Sequence, residues 1–145
     1  MQLVMKRKIA STKLRSVAFT RTRADHSSEL AEDYCELIAD LIDEKGEARG
    51  TDIALRLGVA NATVAKTMKR LAERGLVEQE PYRAIFLTGE GWRMAENVKR
   101  KHAVVENFLL ALGVSAKTAE VDAEGMEHHV SEETLKAMAR FLVRN

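Results

Sequence analysis

Three residues near the carboxyl end of the chain have types and a spacing that suit metal binding. Glu124, Glu127 and His128 occupy positions i, i+3 and i+4 of a stretch with helical character, and this spacing places side chains on one face of a helix. Carboxylates prefer hard divalent cations, and imidazole extends the choice to transition metals. A Glu-Glu-His face is also common on solvated helices. The pattern therefore predicts a metal site only if distant segments supply further ligands.

Such ligands are available elsewhere in the chain. Asp33 and Glu36 are spaced i, i+3 on the first predicted helix, and His102 lies on a long predicted helix. Taken alone, each of these residues could be an ordinary solvated or packed side chain and not a metal ligand. Asp40 and His129 are weaker candidates. Together with the first three residues, they predict an ion held between segments that are far apart in sequence.

The bulk composition limits the class of protein. The chain has 145 residues, 46% hydrophobic residues, a net charge of +1 and one cysteine. A single cysteine excludes an internal disulfide framework and fits a reducing compartment. No apolar run approaches the length of a membrane span. We therefore expect a cytoplasmic protein with no membrane partner and no small organic substrate.

Charge is unevenly distributed along the chain. Residues 1–24 carry seven Lys and Arg and no acidic residue, whereas residues 25–44 carry eight Asp and Glu and no Lys or Arg. Residues 1–26 show no sustained hydrophobic period, which predicts a basic arm without fixed structure. Such an arm could contact nucleic acid or an anionic surface, resembles an organellar presequence in composition, or is a solvated tail.

The remaining pattern predicts a mainly α protein with two domains. A helix begins at Ser27 or Ser28 and ends at Gly46, and a helix–turn–helix and a β-hairpin follow it. Three further helices run from about residues 90–112, 116–129 and 132 onward. We predict a winged helix-turn-helix with a two-stranded wing over residues 27–93. Residues 94–145 are predicted to form a C-terminal helical domain.

The helix–turn–helix contains a candidate DNA-reading element. Its second helix begins near Asn61, after a Gly58-Val59 turn, and has small side chains at its start, which allow close approach to base edges. Basic side chains farther along it can neutralise phosphates. The predicted DNA contacts are Asn61, Ala62, Thr63, Lys66, Lys69, Arg70 and, at the tip of the wing, Arg83. An ordinary helical hairpin with a solvated basic face is the alternative.

The chain resembles the manganese-responsive branch of the iron-dependent repressor (DtxR) family. The resemblance covers about residues 28–140 and rests on four segments: Ala31–Ile38, Asn61–Leu71, Lys101–Leu109 and Asp122–Glu133. It implies a homodimer that binds a double-stranded DNA operator and represses genes of Mn²⁺ uptake, with residues 94–145 as its helical metal-binding and dimerisation domain. Iron-responsive relatives carry Met and Cys where this chain has Asp33 and Glu124.

The resemblance also implies a ligand set and an ion. The family's ligands fall on Asp33, Glu36, His102, Glu124, Glu127 and His128, with two Mn²⁺ ions in each subunit. Glu124 and Glu127 would bridge the ions, Asp33 would hold one, and Glu36, His102 and His128 the other. Carboxylate in place of sulfur shifts the preference toward hard ions such as Mn²⁺.

Three alternatives remain open from the sequence. An iron- or zinc-responsive regulator of the same family would use the same ligands. A metal-independent winged-helix regulator would sense a small molecule or only dimerise. A two-metal hydrolase also uses bridging carboxylates, but the sequence offers it no further general base and no role for a helix–turn–helix.

Overall fold

The computed structural model describes residues 12–79 and 84–144, which are mainly helical. The elements follow in the order α1 (Thr12–Lys45), α2 (Gly50–Leu57), α3 (Asn61–Glu73), β1 (Val77–Gln79), β2 (Ile85–Leu87), α4 (Gly89–Ala111), α5 (Ala116–Met126) and α6 (Glu132–Arg144). The predicted order of helices and strands is confirmed, and with it the mainly α fold class with a two-stranded wing.

The first helix begins earlier than the sequence predicted. α1 begins at Thr12, so the prediction of a start at Ser27 or Ser28 was wrong, as was the lack of fixed structure for residues 12–26. This stretch contains no Pro or Gly, and an internal Ser costs a helix only about 0.5 kcal/mol relative to Ala. Residues 1–11 lie outside the described residues. The predicted end at Gly46, which has a φ of +81°, is confirmed.

The winged helix-turn-helix forms as predicted. Gly58 ends α2 in the left-handed conformation, with a φ of 66°, which favours glycine. β1 and β2 pair antiparallel, with Val77 opposite Leu87. A single bridge from Ala48 to Ile85 adds the segment after α1 to the edge of this sheet. The predicted Pro81–Arg83 turn lies outside the described residues.

Hydroxyl side chains cap the three C-terminal helices. The hydroxyl oxygens of Thr88, Ser115 and Ser131 accept hydrogen bonds from backbone N–H groups in the first turns of α4, α5 and α6, as expected at helix N-termini. α5 was predicted to continue to about residue 129, and this was wrong, because it ends at Met126. The backbone N–H of His129 donates to the carbonyl of Met126 in a tighter turn.

The apolar side chains form two clusters. One is built from α1, α2, α3 and the wing around Ile38, Leu41 and Ile53, and the other around Val105 and Leu135 of α4 and α6. Cys35 is buried in the first cluster, where burial raises the pKa of its thiol to about 11, so it is a packed residue. The domain boundary near residue 93, which falls inside α4, stays a prediction. Among the described residues, no helix is long and apolar enough to cross a membrane.

A close approach at Gly91 fixes the start of α4 against the wing. A Cβ at this position would lie 2.1 Å from the backbone carbonyl oxygen of Leu76. We expect Gly91→Ala to destabilise the protein by about 2–3 kcal/mol through overpacking, which lowers Tm by roughly 10 °C. Gly125→Ala is the control, since a Cβ there meets nothing within 4 Å. Thermal denaturation with equal Tm for the two variants would contradict the packing argument.

Candidate metal centre

The predicted ligands converge between α1, α4 and the end of α5. Asp33 and Glu36 belong to α1, His102 to α4, and Glu124 to the last turn of α5. α4 packs against both α1 and α5, and this packing brings the two ends of the sequence together. The structure thereby places all six predicted ligands in one region.

The first group of ligand atoms surrounds His102. Its Nδ1 lies 2.6 Å from Oε2 of Glu127 and 3.4 Å from Oε2 of Glu124. The three residues each offer one atom within 4.8 Å of the others. The other ring nitrogen, Nε2, lies 3.0 Å from Oε2 of Glu106, one helical turn along α4. This group therefore presents one imidazole nitrogen and two carboxylates to a common point.

The second group surrounds His128. Its Nε2 lies 3.0 Å from Oδ1 of Asp33, and its Nδ1 lies 2.7 Å from Oε2 of Glu32. Glu29, Asp33 and His128 again offer atoms within 4.8 Å of one another. His128 follows the end of α5, and its ring contacts two carboxylates of α1. The structure therefore groups His128 with Asp33, whereas the resemblance placed it with His102 and Glu36.

Glu127 connects the two groups. Its Oε2 contacts His102, while its Oε1 lies 3.5 Å from Nε2 of His128. The residue is fully buried, and Oε1 has no hydrogen-bond partner among the described residues. Leaving a buried acceptor unpaired costs about 1–3 kcal/mol. A cation between the two groups would satisfy that oxygen, so the donor set fits a divalent metal.

Glu36 reaches the same region from α1. Burial, followed by the nearby charge of Glu124, raises the pKa of Glu36, and both carboxylates line the gap between α1 and α5. A cavity of about 500 Å³ opens there. Its walls include Asp33, Glu36, Glu124 and His128, and Arg56 and Leu57 of α2 complete them.

Three further side chains of the site have raised pKa values and therefore hold protons more strongly than usual. Burial alone lowers the pKa of His128, but hydrogen bonds to Asp33 and Glu32 outweigh it and raise the pKa to about 10. Burial and the charge of Glu124 raise the pKa of Glu127 to about 7. The pKa of His102 is also raised, because its contacts with Glu127, Glu124 and Glu106 outweigh burial. Without metal, the imidazolium of His128 partly offsets the cluster of carboxylates.

Sequence reasoning missed three carboxylates of the site. Glu29 and Glu32 lie on α1 beside the predicted ligands, and Glu106 is the i+4 neighbour of His102. The density of acidic residues in α1 and the i, i+4 spacing were the available signals. Of the weaker candidates, Asp40 pairs with Lys99 at 2.8 Å and His129 lies 3.4 Å from Glu29.

The predicted DNA-reading residues of α3 lie on its solvent face. Val64, Thr67, Met68 and Leu71 are buried, and the hydroxyl of Thr67 donates to the carbonyl of Thr63. The exposed positions include all six predicted contacts on this helix: Asn61, Ala62, Thr63, Lys66, Lys69 and Arg70. Arg83 lies outside the described residues. α3 therefore offers small and basic side chains on the side away from the core.

Two parts of the chain match parts of one protein family. Residues 26–85 match the iron dependent repressor N-terminal DNA binding domain, and residues 88–144 match the iron dependent repressor metal binding and dimerisation domain. The resemblance inferred from the four sequence segments is thereby confirmed.

Individual relatives agree with the family match. The transcriptional regulator MntR of Escherichia coli O157:H7 is 58% identical over 123 residues, which cover 85% of this chain and 79% of the relative. MntR of Salmonella typhimurium is 55% identical over 85% of this chain and 78% of its own.

Solved structures with the same fold include one described as a manganese-dependent transcriptional repressor in complex with manganese. It is 30% identical, with a TM-score of 0.69, and the match covers 79% of this chain and 53% of that one. The manganese regulator SloR matches with 28% identity and a TM-score of 0.68, over 79% of this chain and 54% of its own. The chain spans about half the length of these two structures.

Proposed function

The chain belongs to the iron-dependent repressor family of metal-dependent, DNA-binding transcriptional repressors, and on that premise we propose that it represses genes of Mn²⁺ uptake when Mn²⁺ is bound. The observation that carries this proposal is Glu127, a fully buried carboxylate whose oxygens face two separate His–carboxylate groups. The family is not enzymatic, so the hydrolase alternative is excluded.

The proposed ligands are the six residues predicted from the sequence. Asp33, His128 and Glu127 would hold one ion, and Glu36, His102, Glu124 and Glu127 the other, which gives two ions per subunit. This division departs from the one implied by the resemblance, and the distances around His128 support it. When bound, two divalent cations offset the four negative charges of Asp33, Glu36, Glu124 and Glu127.

The donor chemistry favours a hard ion. Four of the six ligands are carboxylates, and Met and Cys are absent from the set, which suits Mn²⁺ better than soft ions. Binding strength alone does not select Mn²⁺, because Zn²⁺ and Cu²⁺ bind most sites more tightly. A response to iron or zinc is therefore the second candidate. Comparing operator binding with Mn²⁺, Fe²⁺ and Zn²⁺ separates the two.

The proposed ligands lie on both sides of the gap between α1 and α5. α1 packs with the DNA-reading elements, whereas α5 is one of the C-terminal helices. Like charges a few ångströms apart repel by roughly 1 kcal/mol or more for each pair, so Glu36 and Glu124 oppose closure of the gap when no metal is present. Neutralising them would let α1 close on α5. Arg56 and Leu57 of α2 line the same cavity, which connects the site to the helix–turn–helix.

Closure would act on DNA through a homodimer. We infer that the C-terminal helices pair two copies in the cytoplasm, and that each α3 presents Asn61, Ala62 and Thr63 to bases and Lys66, Lys69 and Arg70 to phosphates of an operator. The two copies of α3 must stand about 34–36 Å apart to enter successive major grooves. A fixed distance between α1 and α5 would narrow the range of spacings between the two copies of α3. Metal and operator would then bind cooperatively.

Removing the carboxylate of Glu124 tests the metal response. We expect Glu124→Ala to remove most of the coupling between Mn²⁺ and operator, which typically amounts to about 5–150-fold in affinity. Operator binding should be measured by mobility shift with and without Mn²⁺. Glu120→Ala is the control, because Glu120 is an exposed carboxylate on the same helix. An unchanged Mn²⁺ response in Glu124→Ala rules out the proposed closure.

A further inference from the structure

The contact between Glu32 and His128 has no place in the proposed ligand set. Glu32 is an acidic residue of α1 that is only 9% exposed. Its Oε2 accepts from Nδ1 of His128 at 2.7 Å, and Lys101 of α4 lies 3.9 Å from its Oε1. Three elements that are separate in sequence therefore meet at this carboxylate.

The contact fixes the orientation of the imidazole. Because Nδ1 is engaged by Glu32, the opposite nitrogen, Nε2, faces Asp33 and Glu127. An imidazole that binds a metal through one nitrogen keeps a proton on the other and donates it to an acceptor. The ring of His128 is itself buried, so an unpaired Nδ1 proton there would carry the cost of a buried unsatisfied donor.

The same arrangement recurs at the other histidine. Nδ1 of His102 faces Glu124 and Glu127, and its Nε2 lies beside Glu106. The two rings therefore present opposite nitrogens to the carboxylate cluster. At both rings, the nitrogen that faces the cluster is the one opposite the outer carboxylate.

We propose that Glu32 is a positioning residue that accepts the Nδ1 proton of His128 and thereby directs Nε2 to the metal. Lys101 supports Glu32 by keeping a positive charge beside its second oxygen. The inference rests on the proposed function, because it assumes that His128 is a ligand. It adds a residue from α1 to the metal response without adding a metal–ligand bond.

Metal affinity in Glu32 variants gives the first test. Loss of such an outer partner typically lowers metal affinity by about 10–100-fold, and we expect Glu32→Ala to lower Mn²⁺ affinity over that range. Glu32→Gln should lose less, because its amide oxygen still accepts from Nδ1. Glu120→Gln, which removes an exposed carboxylate, should bind Mn²⁺ like the unaltered protein. Equal affinity in Glu32→Ala and the unaltered protein overturns the proposal.

A spectroscopic measurement on the unaltered protein gives the second test and does not depend on how the variants fold. In the ¹¹³Cd-loaded, ¹⁵N-histidine-labelled protein, we expect coupling from cadmium to Nε2 of His128 and a slowly exchanging Nδ1 proton. Coupling to Nδ1 overturns the proposal. Coupling to neither nitrogen, together with an unchanged Mn²⁺ response in Glu124→Ala, would instead reject the ligand set of the proposed function.

Discussion

Glu127→Gln is expected to lower Mn²⁺ affinity by about 100-fold or more and to abolish Mn²⁺-dependent operator binding. The loss should exceed the 10–100-fold typical of an outer partner, because Glu127 faces both ligand groups. Gln has nearly the same shape, but it carries no charge and offers only one acceptor oxygen. Gln could then no longer offer one carboxylate oxygen to each of the two ligand groups.

The folding of Glu127→Gln should be measured separately from its metal response. We expect its Tm without metal to stay within about 5 °C of the unaltered protein, since the substitution removes repulsion from Glu124 as well as the contact with His102. The rise in Tm produced by Mn²⁺ should be lost. Glu120→Gln is the matched control on α5. A Mn²⁺-induced rise in Tm that survives in Glu127→Gln contradicts the role of Glu127.

Mn²⁺ affinity is expected to increase steeply with pH from about 5.5 to 8.5. His128 must lose a proton from Nε2 to bind metal, and its pKa without metal is about 10. One displaced proton gives about a tenfold rise in affinity per pH unit. The slope should steepen below pH 7, where Glu127 must lose a proton too. The ordinary pKa of histidine predicts that Mn²⁺ affinity weakens only below about pH 6.5. The contacts of His128 with Asp33 and Glu32 raise its pKa, so the affinity should begin to weaken at higher pH.

Calorimetric titration with Mn²⁺ in buffers of different ionisation enthalpy measures the released protons directly. At pH 7.5 the protein should release about one proton from His128 on binding. His128→Gln should bind more weakly, and its dependence on pH should be flatter by about one proton. Affinity that does not change between pH 7.5 and 5.5 would falsify the assignment of His128 and His102 as ligands.

Stability without metal should follow the opposite trend. The pKa of His128 is higher in the folded protein than the ordinary value of 6.5, so its contribution to stability is present below about pH 6.5 and is lost as the pH rises toward 10. The raised pKa of Glu127 also contributes stability at low pH, and this contribution is lost as the pH rises from 4.5 to about 7. Raising the pH therefore weakens the metal-free protein while it strengthens metal binding.

Local patterns were sufficient for most elements of the fold. The turn at Gly58, the caps at Thr88, Ser115 and Ser131, and the inward side chains of α3 all follow from neighbouring residues. The start of α1 did not, because no residue between Thr12 and Ser27 forbids a helix and none clearly signals its beginning. The end of α5 was also missed, because Glu127 retains helical backbone angles and a helix can continue past such a residue.

By itself, the sequence determined the elements, the family and the six residue types suited to a hard cation, because helical periodicity and donor chemistry are local properties. Only the tertiary structure decided which groups meet. The packing of α4 against α1 and α5 brings His128 to Asp33 and Glu32, and leaves Glu127 between two imidazoles. The contacts of His128 with α1 join residues nearly a hundred positions apart, and no periodicity in the chain encodes a distance between separate helices.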